Sequence, residues 1–254
     1  MKERTAYPDY GIDAPGLVRF FILSGLISTG LAGLTSLWIS GPPAWGAIVL
    51  AVTFGLAALY LLGMCCIMLY WSKVTKLHTR EALLDRIPWR GDERVLDVGC
   101  GRGLMAVGAA RRLTSGRAIG IDIWRSVDQS SNTAEGALEN ARRESVVDRV
   151  SIQTADMRRL PFEDGSFDVV LSHWAVHNLE SETGRKTALT EMTRVLRPGG
   201  TLILADIEHR AAYASELSDL GLARQTLVLE PIRDFVLSIL SFGSFRPFAI
   251  VARR

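Results

Sequence analysis

A glycine-rich turn between two apolar segments most constrains how this chain can fold. The turn, D-V-G-C-G-R-G over Asp97–Gly103, follows an apolar run that reads as a short buried strand, Val95–Val98. Glycine at alternate positions lets the backbone bend sharply and lets a ligand lie directly against it, because no Cβ intrudes. A dinucleotide-binding fingerprint would need glycine three residues after Gly101, where this chain has Leu104. The pattern that remains is D-x-G-x-G-x-G.

An acidic residue ends the next predicted strand. Asp122 lies nineteen residues after Gly103 and directly follows the apolar segment Ala118–Ile121. A carboxylate at such a strand end can accept hydrogen bonds from two ribose hydroxyls. Three further motifs follow in order: A-D-M after the predicted strand Val150–Thr154, L-P-F-E-D-G-S-F-D-V-V-L-S over 160–172, and R-P-G-G before the predicted strand Thr201–Ala205.

In this order and spacing the motifs resemble those of the class I S-adenosylmethionine-dependent methyltransferases, over about residues 74–206. The resemblance implies an α/β fold with a Rossmann-like, doubly wound, mostly parallel sheet, and S-adenosylmethionine as the cofactor. It also implies that Asp122 binds the ribose, while Asp156 and Met157 meet the adenine. The predicted cofactor-binding residues are Asp97, Gly99, Cys100, Gly101, Gly103, Asp122, Ile123, Trp124, Gln129, Asn132, Asp156, Met157 and Ser172.

Two parts of this predicted site leave alternatives open. Asp97 is expected to orient the turn, or to bind the amino group of the cofactor through water, rather than to act as a catalyst. Four residues of the loop after Asp122 are expected to line the cofactor pocket and narrow access to it: Trp124, Asp128, Gln129 and Asn132. Asn132 or Ser131 can equally be read as the N-cap of the helix that follows.

The acceptor of the methyl group is expected to meet the segment after the fourth predicted strand, Ser172–Asn178. His173 and His177 lie there, and a neutral imidazole near pH 7 is a reasonable base. The alternative is a packing role, which a histidine near the end of this segment often has in the family. No set of histidines, cysteines and carboxylates has metal-binding spacing, so no metal is predicted.

A second feature is a stretch without a charged residue, Phe20–Ser72, which is 53 residues long. It is roughly twice what one helix needs to cross a ~30 Å hydrocarbon core. The turn signal S-G-P-P at 40–43 divides it, so we predict two transmembrane helices, Leu17–Ile39 and Ala44–Trp71. The alternatives are a cleaved signal peptide, for which the first apolar segment is too long, and a buried soluble hairpin.

The flanks of the hairpin predict its orientation. The loop that connects the two helices has no basic residue. Basic residues flank the hairpin on both sides: Lys2, Arg4 and Arg19 before it, and Lys73, Lys76 and Arg80 after it. By the positive-inside rule, both termini and the catalytic domain are then cytoplasmic, at an inner or plasma membrane. Small residues at helical spacing would let the helices pack on each other or on a second copy, as a homodimer: Gly25, Thr29, Gly33, Ala47, Ala51 and Gly55.

The chain is thus predicted to hold a membrane anchor, 1–73, and a cytoplasmic methyltransferase domain, 74–254. The domain should end with a helix, Leu217–Leu222, and an antiparallel strand pair, Gln225–Leu229 and Phe248–Ala252. Between these strands the segment Phe235–Phe245 is unusually apolar, so it would touch the bilayer, cap an apolar substrate pocket, or pack as a buried helix.

The predicted function is methyl transfer to a lipophilic or membrane-associated acceptor: a lipid head group, a quinone-like ring or a small thiol. The alternative is a membrane protein that binds the cofactor as a sensor or interaction subunit without robust catalysis. A net charge of +2 gives no reason to expect nucleic acid as a partner. Three cysteines form no disulfide framework, which suits a reducing compartment.

Overall fold

The computed structural model describes residues 7–39, 44–227, 235, 238–243 and 245–254. Within them the chain divides into two compact units. One unit holds the described part of Met1–Tyr10 together with Leu77–Arg125 and Ser131–Arg254; the other holds Gly11–Lys76 and Ser126–Ser130. The division of the chain into an anchor, 1–73, and a methyltransferase domain, 74–254, stays a prediction.

The smaller unit is a helical hairpin. Helix α1 spans Pro15–Ser36 and helix α2 spans Ala44–Tyr70, followed by a π-helical turn over Trp71–Thr75. The next helix, α3, spans Lys76–Leu84 and belongs to the larger unit from Leu77 onward. Both α1 and α2 are long and apolar enough to cross a membrane, and only 11% of the most apolar window of each is buried. A core helix of a soluble domain of this composition would be mostly buried.

Close packing in the hairpin uses one of the predicted small residues. A Cβ at Gly25 would lie 2.6 Å from Leu62 Cδ2, so the two helices approach each other where glycine leaves room. A Cβ at Gly33 or at Gly55 would meet nothing within 4 Å. The predicted homodimer through these stripes stays a prediction.

The larger unit is built on a seven-stranded sheet. Its strands are β1 Arg94–Val98, β2 Arg117–Asp122, β3 Val150–Thr154, β4 Phe167–His173, β5 Leu196–Asp206, β6 Ala223–Leu227 and β7 Phe248–Arg253. Their order is β3-β2-β1-β4-β5-β7-β6, with β7 antiparallel to both neighbours and the other pairs parallel. The strand order reverses between β1 and β4, which is where ligands bind in doubly wound sheets. The predicted Rossmann-like sheet is confirmed.

Helices cover the sheet, and apolar strands form the core. The helices are α4 Leu104–Ala110, α5 Ala134–Arg143, α6 Glu182–Val195 and α7 Arg210–Asp219. Strand β1 is buried from Val95 to Val98, as expected of a central parallel strand whose faces are both covered. Two separate clusters of buried apolar side chains pack on the sheet.

The sequence-based assignment was wrong at the last helix and at the start of the fifth strand. Helix α7 begins seven residues before the predicted Leu217, because Tyr213 and Leu217, one turn apart, bury the same face. Strand β5 begins at Leu196, before the R-P-G-G sequence that we read as a turn. Its pairing with β4 jumps there, from Leu196 opposite Phe167 to Thr201 opposite Val169. The last predicted pair is antiparallel as expected, although residues 228–229 lie outside the described residues.

Candidate active site

The glycine turn lies at the carboxyl end of β1, beside the point where the strand order reverses. Gly99, Gly101 and Gly103 have φ values of +73°, +51° and +82°, a region that side chains other than glycine rarely adopt. The amide N–H groups of Gly99 and Cys100 both donate to the carbonyl oxygen of Ile121 at 2.9 Å. These two bonds tie the turn to the end of β2.

Asp122, at the end of β2, holds the turn from the other side. Its Oδ2 accepts from the Gly101 amide at 2.8 Å, and its Oδ1 accepts from the Trp124 amide at 2.7 Å. The side-chain amide of Asn132 also donates to Oδ1, at 3.4 Å. A carboxylate has about four lone-pair sites, so this one keeps capacity for further donors.

Asp97 is the buried acid at the start of the turn. Its side chain is 1% exposed, and Oδ2 accepts from the Ala106 amide in the first turn of α4 at 2.8 Å. Oδ1 has no hydrogen-bond partner among the described residues. Burial raises the pKa of Asp97 to about 7, and the nearby charge of Asp122 adds to this effect. The carboxylate thus holds the start of α4, and the two roles predicted for Asp97 stay predictions.

Residues of the loop after Asp122 belong to two different units: those up to Arg125 to the larger one, and Ser126–Ser130 to the smaller one. Trp124, at a positive φ of 62°, donates from Nε1 to Thr154 Oγ1 at 2.8 Å, and Ile123 is half exposed. Gln129 belongs instead to the hairpin unit, where its side-chain amide donates to Asp13 Oδ1 at 3.2 Å. The N-cap of α5 is Thr133, whose hydroxyl accepts from Gly136, so neither Asn132 nor Ser131 has that role.

Asp156 and Met157 follow β3, at the same edge of the sheet. Arg158 binds the Asp156 carboxylate through its guanidinium, at 2.6 Å from Nη2 to Oδ2, and through its own backbone amide. These bonds hold the pKa of Asp156 below its ordinary value, so it accepts but does not donate. The Met157 methyl group would lie 3.4 Å from a Cβ at Gly99, which places this side chain beside the turn.

Two predicted cofactor residues are buried in the framework of the site. The Ser172 hydroxyl donates to the carbonyl oxygen of Val98 at 2.9 Å, which joins β4 to the end of β1. The Cys100 thiol packs against β2, since its sulfur lies 2.8 Å from where a Cβ of Gly120 would be. Burial raises the pKa of this thiol, so it stays protonated.

An aromatic stack begins at the carboxyl end of β4. The rings of His173 and Trp174 are stacked, with centroids 5.0 Å apart and planes at 15°. Phe245, from the segment before β7, packs its edge against the Trp174 ring at 5.7 Å. The predicted acceptor side is therefore lined by aromatic surface.

His177 is paired with an acid that the sequence analysis did not single out. Its Nδ1 lies 2.5 Å from Asp206 Oδ1, and its backbone amide donates to Asp206 Oδ2 at 3.1 Å. Asp206 ends β5, is fully buried and also accepts from the Ile207 amide. The signal was present, because Asp206 follows an apolar strand as Asp122 does.

The tautomer of His177 follows from this pairing. A neutral imidazole that donates from Nδ1 to Asp206 carries its lone pair on Nε2. Such an arrangement of a buried carboxylate and a histidine orients a general base and stabilises the imidazolium that forms when the base takes a proton. No group of three or more potential metal ligands occurs among the described residues.

The residues present fit an adenosyl amino acid. The buried Oδ1 atoms of Asp97 and Asn132 have no partner among the described residues, and both lie in or beside the glycine turn. Asp122 can accept from ribose hydroxyls beside its two backbone bonds. The site thus offers acceptors suited to the amino group and hydroxyls of S-adenosylmethionine, and glycines that leave room for a ligand to approach the backbone.

Comparisons with known proteins agree with this geometry. Residues 96–204 match the family described as methyltransferase domain. Methyltransferase GfsG of Streptomyces halstedii is 39% identical over 127 residues, which is 50% of this chain and 42% of that protein. Demethylmenaquinone methyltransferase of Lactiplantibacillus plantarum is 32% identical over 130 residues, 51% of each chain. The chain thus spans about half the length of the curated relatives that it matches.

A solved structure supports the same fold. Geranyl diphosphate methyltransferase, in complex with S-adenosylmethionine, superposes on 70% of this chain and 85% of its own, with a TM-score of 0.55 at 22% identity. At that identity the likeness bears on the fold alone. Residues 96–204 therefore match a methyltransferase domain, and the sheet that contains them has the fold of the class I S-adenosylmethionine-dependent methyltransferases.

Proposed function

We propose that the whole protein is an integral-membrane methyltransferase that transfers a methyl group from S-adenosylmethionine to a lipophilic or membrane-associated acceptor. One observation carries the proposal: the same chain has a methyltransferase domain and two long helices whose apolar side chains are exposed. Leu23, Leu34 and Leu59 are 62%, 61% and 72% exposed. In water such a surface would be costly, because about 25 cal/mol is lost for each Å² of apolar area left unburied.

The acceptor side is apolar as well. The His173–Trp174–Phe245 stack offers ring faces rather than charges. On the segment that leads to Phe245, Phe235 and Phe242 are exposed by 67% and 87%. Relatives of the chain include a methyltransferase named for demethylmenaquinone. We therefore rank a quinone-like ring first among the acceptors, ahead of a lipid head group or a small thiol.

The chemistry needs few protein groups. When bound, S-adenosylmethionine supplies an electrophilic methyl group on a positively charged sulfur that leaves as a neutral thioether. The acceptor's lone pair forms the new bond, so an acceptor that carries a proton must lose it. We assign that proton to Nε2 of His177, with Asp206 holding the ring in the correct tautomer. His173 would instead line the pocket through its stacked ring.

Orientation is the second contribution of the chain. Asp97–Gly103, Asp122, Asp156 and Met157 would hold the cofactor, and the aromatic stack would place the acceptor. Holding the two reactants in line can lower the activation free energy substantially. The reason is that their translational and rotational entropy is lost on binding rather than during the chemical step. Both termini and the domain are proposed to lie in the cytoplasm, where the cofactor is made.

The experiment uses the full chain in nanodiscs, S-adenosylmethionine with an isotope-labelled methyl group, and a lipid extract, read by mass spectrometry. Label should enter a lipophilic product. Asp206→Asn should lower turnover about 10²–10⁴-fold with cofactor affinity unchanged, because the base loses its orientation. Asp219→Asn, an exposed acid of the same unit, is the matched control. Label only in water-soluble products would refute the acceptor class, and cofactor binding without any labelled product would favour the sensor alternative.

A further inference from the structure

The described N-terminal residues, Tyr7–Tyr10, pack in the catalytic unit although they precede the first apolar helix in the chain. Tyr10 is 3% exposed, whereas Tyr7 is 93% exposed. We call Tyr7–Tyr10 the N-terminal strap. Its position in the sequence gives no hint of this packing, since it lies 67 residues before Leu77, where the rest of the unit begins.

One end of the strap is fixed by a buried polar group. The Tyr10 hydroxyl donates to Glu144 and accepts from Arg80 Nη1 at 3.1 Å. Arg80 Nη1 also binds Glu144 Oε1 at 2.9 Å, and its guanidinium lies over the Tyr10 ring, 5.6 Å from the centroid. Arg80 is only 4% exposed, and a buried charge is costly unless it has hydrogen-bond partners. The Tyr10 hydroxyl of the strap is one of these partners.

Asp9, the residue before Tyr10, reaches the glycine turn through Asn140, which is fully buried in α5. The Asn140 side-chain oxygen accepts from the Asp9 amide at 2.8 Å. Its Nδ2 donates to the Asp9 carbonyl at 2.9 Å and to the Arg102 carbonyl at 3.0 Å. One side-chain amide thus joins the strap to the backbone of the turn.

Arg102, the residue between Gly101 and Gly103, makes a second connection. Its Nε donates to the Asp9 carbonyl at 2.6 Å, and its Nη1 donates to the Ser131 carbonyl at 2.7 Å. The guanidinium has room because position 136 is glycine, where a Cβ would lie 3.1 Å from Nη1. The same side chain therefore holds the strap, the turn and the start of the segment that carries Asn132.

These contacts lead to the predicted ribose acid. Gly101 donates its amide to Asp122 Oδ2, and Asn132 donates to Asp122 Oδ1. We infer that the N-terminal strap, acting through Arg102 and Asn140, is a positioning element of the cofactor site rather than a leader of the membrane hairpin. The inference rests on the proposed function only for the identity of the ligand.

The inference matters for how the two parts of the protein are joined. Only residues 11–14 separate Tyr10 from Pro15, the first residue of α1. A domain that begins near residue 74 would lack the strap, and Asn140 would then lose two of its hydrogen bonds while staying buried. Such a loss is costly, because a buried group keeps its desolvation penalty when its partner is removed.

The test compares two deletions in the full chain, solubilised in detergent with the hairpin intact. The variant without residues 2–10 lacks the strap, and the variant without residues 2–6 is the matched control that keeps it. Calorimetry with S-adenosylmethionine should show affinity about tenfold weaker without the strap. Hydrogen exchange without ligand should be faster at Gly101–Gly103 in that variant alone. A purely structural role elsewhere would leave exchange in the turn unchanged.

Point variants keep the inference testable if the longer deletion does not fold. Arg102→Met should weaken S-adenosylmethionine binding, and Arg102→Lys should weaken it less, because lysine keeps a donor. Tyr10→Ala should also weaken binding, whereas Tyr7→Ala, at an exposed position of the same strap, should not. Equal affinity and equal exchange in the two deletions, or in Arg102→Met and the wild type, would overturn the inference. A wild-type chain that binds no S-adenosylmethionine would instead refute the cofactor assignment, which is a separate result.

Discussion

Asp97 offers a quantitative test of the site. Its carboxyl is 1% exposed, one oxygen is bonded to the Ala106 amide, and burial raises its pKa from an ordinary 3.8 to about 7. Because the folded chain then binds this proton more tightly than the unfolded chain, it carries more protons between about pH 4 and pH 7. Stability should therefore fall as the pH rises through that window.

The magnitude follows from the shift. One pKa unit corresponds to about 1.4 kcal/mol, so the whole shift is worth about 4 kcal/mol. Roughly 2–3 kcal/mol of this should be lost between pH 5 and pH 8. Asp97→Asn keeps an oxygen for the Ala106 amide and does not ionise, so the variant should escape this loss. For a domain of this size the difference corresponds to roughly 5–10 °C in Tm.

The assay is thermal unfolding of the full chain in detergent, without cofactor, at pH 5, 6.5 and 8. The difference in Tm, Asp97→Asn minus wild type, should increase as the pH rises. Any cost of the substitution that does not depend on pH is the same at every pH and does not affect this trend. Asp219→Asn, which changes an exposed acid, should show no such growth. A difference that stays constant from pH 5 to pH 8 would refute the reasoning and mean that Asp97 ionises as readily in the folded chain as in the unfolded one.

Three further predictions concern Asp122, the hairpin and the topology. Asp122→Ala should weaken S-adenosylmethionine binding by about 2–4 kcal/mol in calorimetry, and unchanged affinity would remove it from the site. Gly25→Leu should lower the Tm in detergent by overpacking against α2, at a cost of about 1–3 kcal/mol, whereas Gly30→Leu meets nothing within 4 Å and should not. A cysteine at Ser40 should react with an impermeant reagent in intact cells and one at Ser215 should not; the reverse pattern would contradict the proposed orientation.

Most of the sheet could be predicted because its strands are short apolar runs bounded by turn residues. The predicted strand Val150–Thr154 is identical to β3, and Val95–Val98 differs from β1 by one residue. The glycine turn and Asp122 were predicted for the same reason, since their pattern is local in the sequence. Helix α7 overlaps the predicted helix Leu217–Leu222 only at its last three residues, because its first two turns carry no strong apolar pattern.

Contacts between distant parts of the chain could not be predicted. His177 and Asp206 are 29 residues apart and meet only because β4 and β5 are neighbours in the sheet. Arg102 and Asp9 are 93 residues apart, and no periodicity or motif marks Asp9. Gln129 and Asp13 are 116 residues apart, and no motif marks their contact either. One sequence shows which residues are neighbours along the chain, not which become neighbours in space.

The glycine turn and the segment that follows β4 constrain which substitutions each can accept. A Cβ at Gly99 would lie 2.3 Å from the Cβ of Ala175, so alanine at both positions is sterically excluded. Substitutions there should be strongly epistatic: Gly99→Ala would be tolerated better after Ala175→Gly, although its φ of +73° still carries a cost of about 1–2 kcal/mol. A side chain at position 99 should therefore be accepted only after a change at Ala175, and a double-mutant cycle would measure the coupling between the two substitutions.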